Sequence, residues 1–484
     1  MSGWAVRLPS DQKLVRDAVH GYQLLAPHEV AILDTPVIQR LRRIHQTALA
    51  YFVYPSAVHS RFDHVLGVAE MVNGLCRGLD AYGQQLSGTP SHMRMRLAAL
   101  VHDSGHIFMS HLGETAAGLV FEADVQEAKE VSSGLFEAKD LGEMLSYLIV
   151  TSPALHDAMS EALKASKIDG VTPEQVGGLA LGKSADPQFQ YEADVISGPF
   201  DADKLDYLLR DSHFSGIRST VDVERVFYTV RLLEAADGVP RHLAMHVSGV
   251  PTLEQLVLAR MMLFPAVYHH QKVRALECTF KSIIERIVSR SADLTQAKAL
   301  RPDSLARWLH VTDDRFLTLC LDDPILHDAA NRIINRRPLR RALVLSWATV
   351  EDPADALKAL RRELRDPAKL RKARESIHAA MGQKLRGSVE DLWLDLPASP
   401  TFLRDIQQVR ITEDLKTHHA MTEGEFEWKN WIANYEQVKF RGHVFCLDDD
   451  AVRREAARAA RDVLQESFGV KLKGLAWSQA HNPA

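Results

Sequence analysis

The sequence predicts a mainly α-helical protein, a multi-helix core followed by a small mixed α/β C-terminal part. Three observations carry that expectation. Apolar residues recur at three- and four-residue steps along most of the 484 residues, strand-like patterns are few, and breaker clusters separate the periodic stretches. After Asp63, the positions Val65, Val68, Ala69, Val72, Leu75, Cys76 and Leu79 mark one buried helix face. Met93, Leu97, Leu100 and Val101 mark a second, which ends at His102. ADKLDYLLRD, 202–211, forms a third. Further helical runs lie in LEQLVLARMMLFPAVYHHQKVRALECTFKSIIERIV and ALKALRRELRDPAKLRKARESI. HVFCL, 443–447, is the clearest strand; the Asp-rich DDDAV after it starts an alanine-rich helix that stops before Gly469. Loops are expected at 87–90, 183–188 and 236–240. A boundary near residue 345 divides the chain into a core, 1–345, and a C-terminal helical and α/β region, 346–484.

Composition excludes little but sets the class. Hydrophobic residues at 46% and charged residues at 25% are ordinary for a well-packed protein, and a net charge of −5 argues for neither a nucleic-acid partner nor a membrane surface. Cys76, Cys278, Cys320 and Cys446 are scattered, with no C-x-x-C pair, which fits buried thiols in a reducing compartment. The N-terminal MSGWAVRLPSDQK has no signal-peptide pattern, and no apolar run comes near the ~20 residues of a membrane helix. A soluble, cytoplasmic protein is expected.

GGLALGKS, 177–184, fits the phosphate-loop pattern G-x-x-x-x-G-K-[ST] letter for letter. A working loop of that kind follows a buried strand and opens a helix. Here TPEQV before it reads as a helix N-terminus, and Pro187 after it obstructs a helix. The stretch therefore reads as a helix that ends in a loop.

The chemistry concentrates at three other helix ends. HSRFDH places His64 at the start of one helix, LAALVHDSGH places His102 and Asp103 at the end of another, and FDADKLDYLLRD places Asp201, Asp203 and Asp206 at the start of a third. Imidazoles and carboxylates are ligands for Mn, Fe, Zn and similar divalent ions. Burying a His-Asp dyad is costly unless something pairs it. A single such histidine is ordinarily a satisfied core residue; the three segments together favour a metal. Asp203, Tyr207 and Asp211 stand at i, i+4 and i+8 with Lys204 beside them, while Leu205, Leu208 and Leu209 turn to the core. That face suits a metal, sugar hydroxyls and phosphates, or equally a solvated, salt-bridged surface.

HSRFDH, VHDSGHIFMSH and GPFDADKLDYLLRDSHFSGI, in this order, resemble the HD-domain superfamily. The run KLVRDAVHGYQLLAPHEVAILDTPVIQRLRRIHQTALAYFVYPSAVHSRFDHVLGV and the segment VYHHQKVRA are similar to its deoxynucleoside triphosphate triphosphohydrolase branch, which contains the vertebrate SAM-and-HD-domain enzyme. The likeness covers residues 13–345 well and the remainder weakly. Only about a dozen residues of this sequence precede it, so no SAM domain is expected. The resemblance implies one divalent ion (Mn, Fe, Zn, Ni or Mg) on His64, His102, Asp103 and Asp203. It places His106 and His111 against the α-phosphate, Arg61 and Lys204 on phosphates, and Gln46, Tyr207 and Asp211 on the sugar. Its implied reaction is dNTP plus water giving deoxynucleoside and triphosphate, with a metal-activated water and cations neutralising developing charge.

The family's His-Glu pair after the HD motif, paired with an acid in proton transfer, is incomplete. Glu114 stands for the acid, but the histidine's place falls at about Glu137 or Ala138, and no histidine occurs between His111 and His156. A slow enzyme, a shuttle rewired through Glu114 or His111, a different leaving group and a protein that binds without turnover all stay open. So does an HD phosphatase or phosphodiesterase acting on another phosphate ester, and a catalytically weak nucleotide sensor in regulation or defence. Asp34, Gln39 and Arg42 match a guanine-reading allosteric site between subunits, which would make the protein a nucleotide-responsive homo-oligomer. Asp34 before Thr-Pro serves equally as a helix N-cap. The basic runs RIINRRPLRRAL and LRRELRDPAKLRKAR read as solvated faces with stems over apolar surface. Single-stranded nucleic acid is the alternative partner, disfavoured by the scarcity of interleaved aromatics.

Overall fold

The computed structural model describes residues 12–132, 134–234, 239–385, 387–398, 402–424, 426–474 and 476. It is mainly helical, with small sheets. The chain forms two compact units. The first comprises Met1–Leu263, Leu305–Asp314 and Thr401–Glu427 in their described parts; the second comprises Phe264–Ser304, Arg315–Pro400 and Trp428–Ala484 in theirs. The sequential division at 345 stays a proposal of its own; residue 345 lies within the strand Arg340–Ser346. Of the expected loop 236–240, residues 236–238 lie outside the described residues.

In the first unit, β1 (Lys13–Asp17) and β2 (Gly21–Leu25) form an antiparallel hairpin in the register Lys13↔Leu25 to Asp17↔Gly21. Helix α1 (Arg61–Asp80) starts from a capping box. Ser60 accepts the Asp63 N–H at 3.3 Å, and the Asp63 carboxylate accepts the Ser60 N–H at 2.8 Å. The apolar positions expected from Val65 to Leu79 are all buried. Helix α2 (Pro90–Val101) is capped by Thr89 and packs along α1. Two buried ion pairs fix its flanks, Arg94 with Glu192 and Arg96 with Glu29, each at 2.6 Å. Helices α3 (Ser110–Val120) and α4 (Leu141–Val150) follow, and α5 (Ala202–Ser215) returns to pack on α1. A four-stranded sheet runs in the order Val230–Leu232, Leu243–His246, Arg410–Thr412, His419–Ala420, with its two central strands parallel.

The second unit centres on the strand Arg441–Cys446, the strand read from HVFCL, paired antiparallel on one side with Arg340–Ser346 and on the other with Trp393–Asp395. The helix Asp450–Phe468 covers one face, with Leu343, Leu345, Leu394, Val444, Ala456 and Leu464 in the shared core. Asp449 caps that helix by accepting two N–H groups at 2.9 Å, and Gly469 ends it at φ +66. In the basic runs, Arg361 lies over the Phe440 ring, and Arg374 lies over Trp393 and pairs with Glu285 at 2.8 Å. All four cysteines are buried as free thiols.

Two expectations meet the structure directly. GGLALGKS lies on the helix Pro173–Ala180 and the turn that ends it, where Gly182 N–H donates to Leu179 O and Lys183 N–H to Gly178 O. The Lys183 ammonium is spent on the carbonyls of Gly134 and Leu135, at 2.9 and 2.8 Å. The expectation that no apolar run approaches membrane-helix length needs correction. Among the described residues, the helical stretch Val247–Tyr268 is long and apolar enough by length and composition, with 44% of it buried. The letters hide this because Arg260 interrupts the run; that guanidinium is buried and paired with Asp405 at 2.7 Å.

Two outcomes follow from these contacts. Lys183→Ala should lower the melting temperature, checked by thermal denaturation, because its ammonium ties two loop carbonyls. His443, 2% exposed with neither ring nitrogen hydrogen-bonded, has its pKa held down to about 3 by burial. Between pH 6.5 and 3 the unfolded chain takes up a proton that the native state refuses, so stability falls as pH falls, by about 1.4 kcal/mol per unit at most. His443→Leu should therefore raise the melting temperature relative to wild type more at pH 5 than at pH 8.

Candidate metal centre

His64 sits in the first turn of α1, 1% exposed, and its tautomer is set by its neighbours. Nδ1 lies 2.7 Å from Asp206 Oδ2, an acceptor, so Nδ1 carries a proton and Nε2 is turned to the other side. Asp206 is itself fixed by Arg210 at 2.8 and 3.0 Å and by His20 at 2.5 Å, and Arg210 reaches Asp17 at 3.0 Å. Gly67 makes room for this arrangement, since a β carbon there would overlap the Asp206 carboxylate and the Arg210 guanidinium.

His102 closes the C-terminus of α2 and is oriented in the same way. Its Nδ1 donates to Ala99 O at 2.8 Å, which leaves the Nε2 lone pair free. Both Nε2 atoms are buried without a hydrogen-bond partner. They converge with Asp203 at the start of α5: one ligand atom from each of His64, His102 and Asp203 lies within 4.8 Å of the others. His64 Nε2 is 2.9 Å from Asp203 Oδ1 and 3.8 Å from Asp103 Oδ2, and His102 Nε2 is 3.3 Å from Asp103 Oδ1. Three of the four residues expected as ligands, His64, His102 and Asp203, thus stand around one space, and Asp103 borders it beside both imidazoles.

These residues fit a divalent cation. Two buried Nε2 atoms face carboxylate oxygens, and such a contact is repulsive unless a proton or a metal ion supplies positive charge between them. The electrostatics carry the same demand. Burial opposes protonation of His64, but Asp203 and Asp206 outweigh it and raise its pKa to about 10. Burial likewise disfavours the charged form of Asp103, yet Arg61, His102 and His106 hold its pKa well below the carboxylate range.

Around this centre, Arg61 donates through Nη1 to Asp103 Oδ2 at 2.6 Å and through Nε to Ser110 Oγ at 2.9 Å, while Nη2 is buried with no partner. Gln46 keeps a buried Oε1 unpartnered. Lys204 is engaged with Asp201, the N-cap of α5, at 2.7 Å and with Gly198 O at 2.8 Å. Tyr207 accepts from Arg260 at 2.9 Å, and Asp211 accepts from His59 at 2.8 Å. His106 lies between two acids: its Nε2 is 2.9 Å from Asp103, and its Nδ1 makes a short contact with Glu114. The other Glu114 oxygen is 3.2 Å from Nδ1 of the exposed His111. Gly142, on α4, lies beneath Glu114, where a β carbon would come within 2.9 Å of the carboxylate. Glu137 and Ala138, where the family histidine was sought, are both exposed.

Asp34 and Arg42 line a separate cavity of about 500 Å³ with Lys13, Arg16, Phe62 and Arg210, whereas Gln39 does not reach its wall. Gln39 instead donates to Leu33 O and accepts from Arg42, each at 2.9 Å, and Arg42 lies over the Phe62 ring. Asp34 is not the N-cap of the helix after it. It closes the helix Pro27–Leu33, and Thr35 holds the capping position, because the intervening turn is one residue shorter than the letters suggest.

Sequence reading named Asp206 without its supporting role and missed the other residues that hold the site in place. Asp206 and Arg210 carry a usable signal, an acid and a base four apart on one helix face. His20, Asp17 and Arg260 carry none. Arg40 also escapes the letters: it donates to the carbonyls of Ser104 and His106, the latter at 2.7 Å, and so braces the loop after the dyad.

Residues 221–423 match the HD associated region. An uncharacterized protein of Methanocaldococcus jannaschii is 27% identical over 304 residues, 62% of this chain and 56% of that one. The deoxynucleoside triphosphate triphosphohydrolase SAMHD1 of Gallus gallus is 31% identical over 280 residues, 55% of this chain and 44% of the enzyme. The Bos taurus SAMHD1 is 28% identical over 346 residues, 66% of this chain and 56% of the enzyme. The chain thus spans about half the length of the curated relatives it matches. A crystal structure of a hypothetical protein from Aquifex aeolicus superposes with a TM-score of 0.65 at 20% identity, covering 93% of this chain and all of that one, a likeness of fold.

Because Asp206 orients His64, Asp206→Asn should weaken any Mn(II) binding at this site by about 10- to 100-fold, measured by calorimetric titration.

Proposed function

We propose that this chain, which resembles the deoxynucleoside triphosphate triphosphohydrolase branch of the HD-domain superfamily, is a metal-dependent nucleotide phosphohydrolase. Its proposed reaction is dNTP plus water giving deoxynucleoside and triphosphate. The observation that carries the reading is the convergence of two buried imidazole Nε2 atoms and the Asp203 carboxylate, bordered by Asp103 and by an arginine with a free buried N–H.

In this reading, His64, His102, Asp103 and Asp203 hold one divalent ion, whether Mn, Fe, Zn, Ni or Mg. When bound, such an ion supplies a water of lowered pKa and polarises a phosphoryl oxygen. The protein's own groups do the remainder. Arg61 turns its unpartnered Nη2 toward a phosphate oxygen, and Lys204 adds positive charge once a phosphate competes with Asp201 for its ammonium. Gln46, with its free Oε1, reads the sugar together with Tyr207 and Asp211. The bond between the α-phosphorus and the 5′ oxygen breaks, and the departing oxygen needs a proton. Glu114 stands between His106 and His111, so these three can move that proton without the family histidine. Such a group contributes about 10²- to 10⁴-fold in rate.

The missing histidine also supports a second reading, a nucleotide sensor with little turnover. The cavity bearing Asp34 and Arg42 supports nucleotide regulation within a homo-oligomer, since it joins basic groups to the Phe62 ring apart from the metal centre. Product analysis separates the readings. Purified protein with Mn(II) and a panel of dNTPs should release inorganic triphosphate, and Asp103→Ala should lose both the metal and the product. Monophosphate release would point to a phosphatase or phosphodiesterase, and stoichiometric dNTP binding without product to the sensor.

A further inference from the structure

Asp313 stands in the segment Leu305–Asp314, some two hundred residues beyond the HD dyad, yet it is buried against the candidate site at 1% exposure. In sequence it passes as an acid in the first turn of a helix. Its carboxylate is used differently. Oδ2 accepts both the backbone N–H of His45 and its ring Nδ1, each at 2.8 Å, and Oδ1 accepts the backbone N–H of Met109 at 2.7 Å.

Those partners lie in the two segments that carry Gln46 and His111. His45 directly precedes Gln46, and its ring stacks on Tyr51. Met109 and Ser110 directly precede His111, and both hold the left-handed backbone, at φ +58 and +53, that non-glycine residues adopt only when their surroundings compel it. Ser110 Oγ donates to His45 O at 2.6 Å and accepts from Arg61 Nε at 2.9 Å, which closes a ring of contacts back to Asp103. From the same segment, Trp308 packs on Phe108 and Phe121, so the loop is gripped by its apolar side chains as well as by its backbone.

We infer that Asp313 is a positioning residue: one buried carboxylate sets the spacing between the sugar-reading Gln46 and the phosphate-side His111 by holding the left-handed turn at Met109–Ser110. Asp313 touches none of the four metal-holding residues, so its removal should disturb substrate placement and spare the metal. The kinetic part of this inference rests on the proposed hydrolase reading; the structural part does not.

Asp313→Asn and Asp313→Ala, in the full chain, test it in two arms. Hydrogen exchange of a peptide spanning 107–112 should quicken by about 10-fold or more in either variant, with protection across α1 unchanged. Mn(II) content should stay at the wild-type value, while KM for a dNTP rises about 10-fold and kcat falls by a similar factor, Asn milder than Ala. Unchanged exchange in the peptide overturns the inference. So does loss of Mn(II) in step with activity, which would make Asp313 a support of the whole core, and so does wild-type kcat/KM despite faster exchange. If Asp313→Ala fails to fold, the near-isosteric Asn variant decides alone. Wild-type protein that neither binds nor hydrolyses dNTPs defeats the functional reading, and the exchange arm then still decides whether Asp313 holds the turn.

Discussion

The organisation of this site depends on one polar relay, Asp17 to Arg210 to Asp206 to His64. Every member is buried, and each charge has a partner of opposite sign or a donated N–H. Its consequence is local and chemical: the relay keeps a proton on His64 Nδ1 and turns Nε2 toward Asp203. Taking one partner from such a set leaves a buried charge uncompensated, at a cost of about 3–5 kcal/mol. The hairpin that supplies Asp17 and the helix that supplies Arg210 are thereby tied to the orientation of a single imidazole.

Much of this was legible in the letters, for identifiable reasons. The buried faces of α1, α2 and α5 repeat at three and four residues, and that period is a direct image of packing. Capping residues announced the helix after Asp449 and its stop at Gly469. His64, His102, Asp103 and Asp203 stood out because an acid or imidazole at the end of an apolar helix requires an explanation. The small sheets were harder. Strands such as Val230–Leu232 and Arg410–Thr412 are three residues long and carry no period. Asp34 was misplaced by one residue as a cap, which is the ordinary error where two helices meet across a single turn. Asp206 carried a spacing signal, but His20, Arg40 and Asp313 act across distances of dozens to hundreds of residues. Nothing in a linear pattern marks an acid whose partners lie in other segments.

In the proposed reading, the place of the absent family histidine is taken by a different set of contacts. Glu114 is turned inward, seated over Gly142, and engaged by both His106 and His111. His106 in turn contacts Asp103, so the Glu114 cluster and the His64–His102 cluster meet at one carboxylate. The loop bearing these histidines is held from below by Arg40 and by the left-handed turn at Met109–Ser110, which supplies the rigidity that a shuttle of three short-range contacts requires.

The central claim is that two imidazole nitrogens from α1 and the end of α2 converge with two carboxylates on one cation. X-ray absorption spectroscopy at the Mn edge, on protein loaded with a single equivalent of Mn(II), measures this directly. The account predicts stoichiometric binding with two histidine nitrogens among the ligands and the remainder oxygen. An all-oxygen environment, or failure to retain one equivalent through gel filtration, would contradict it.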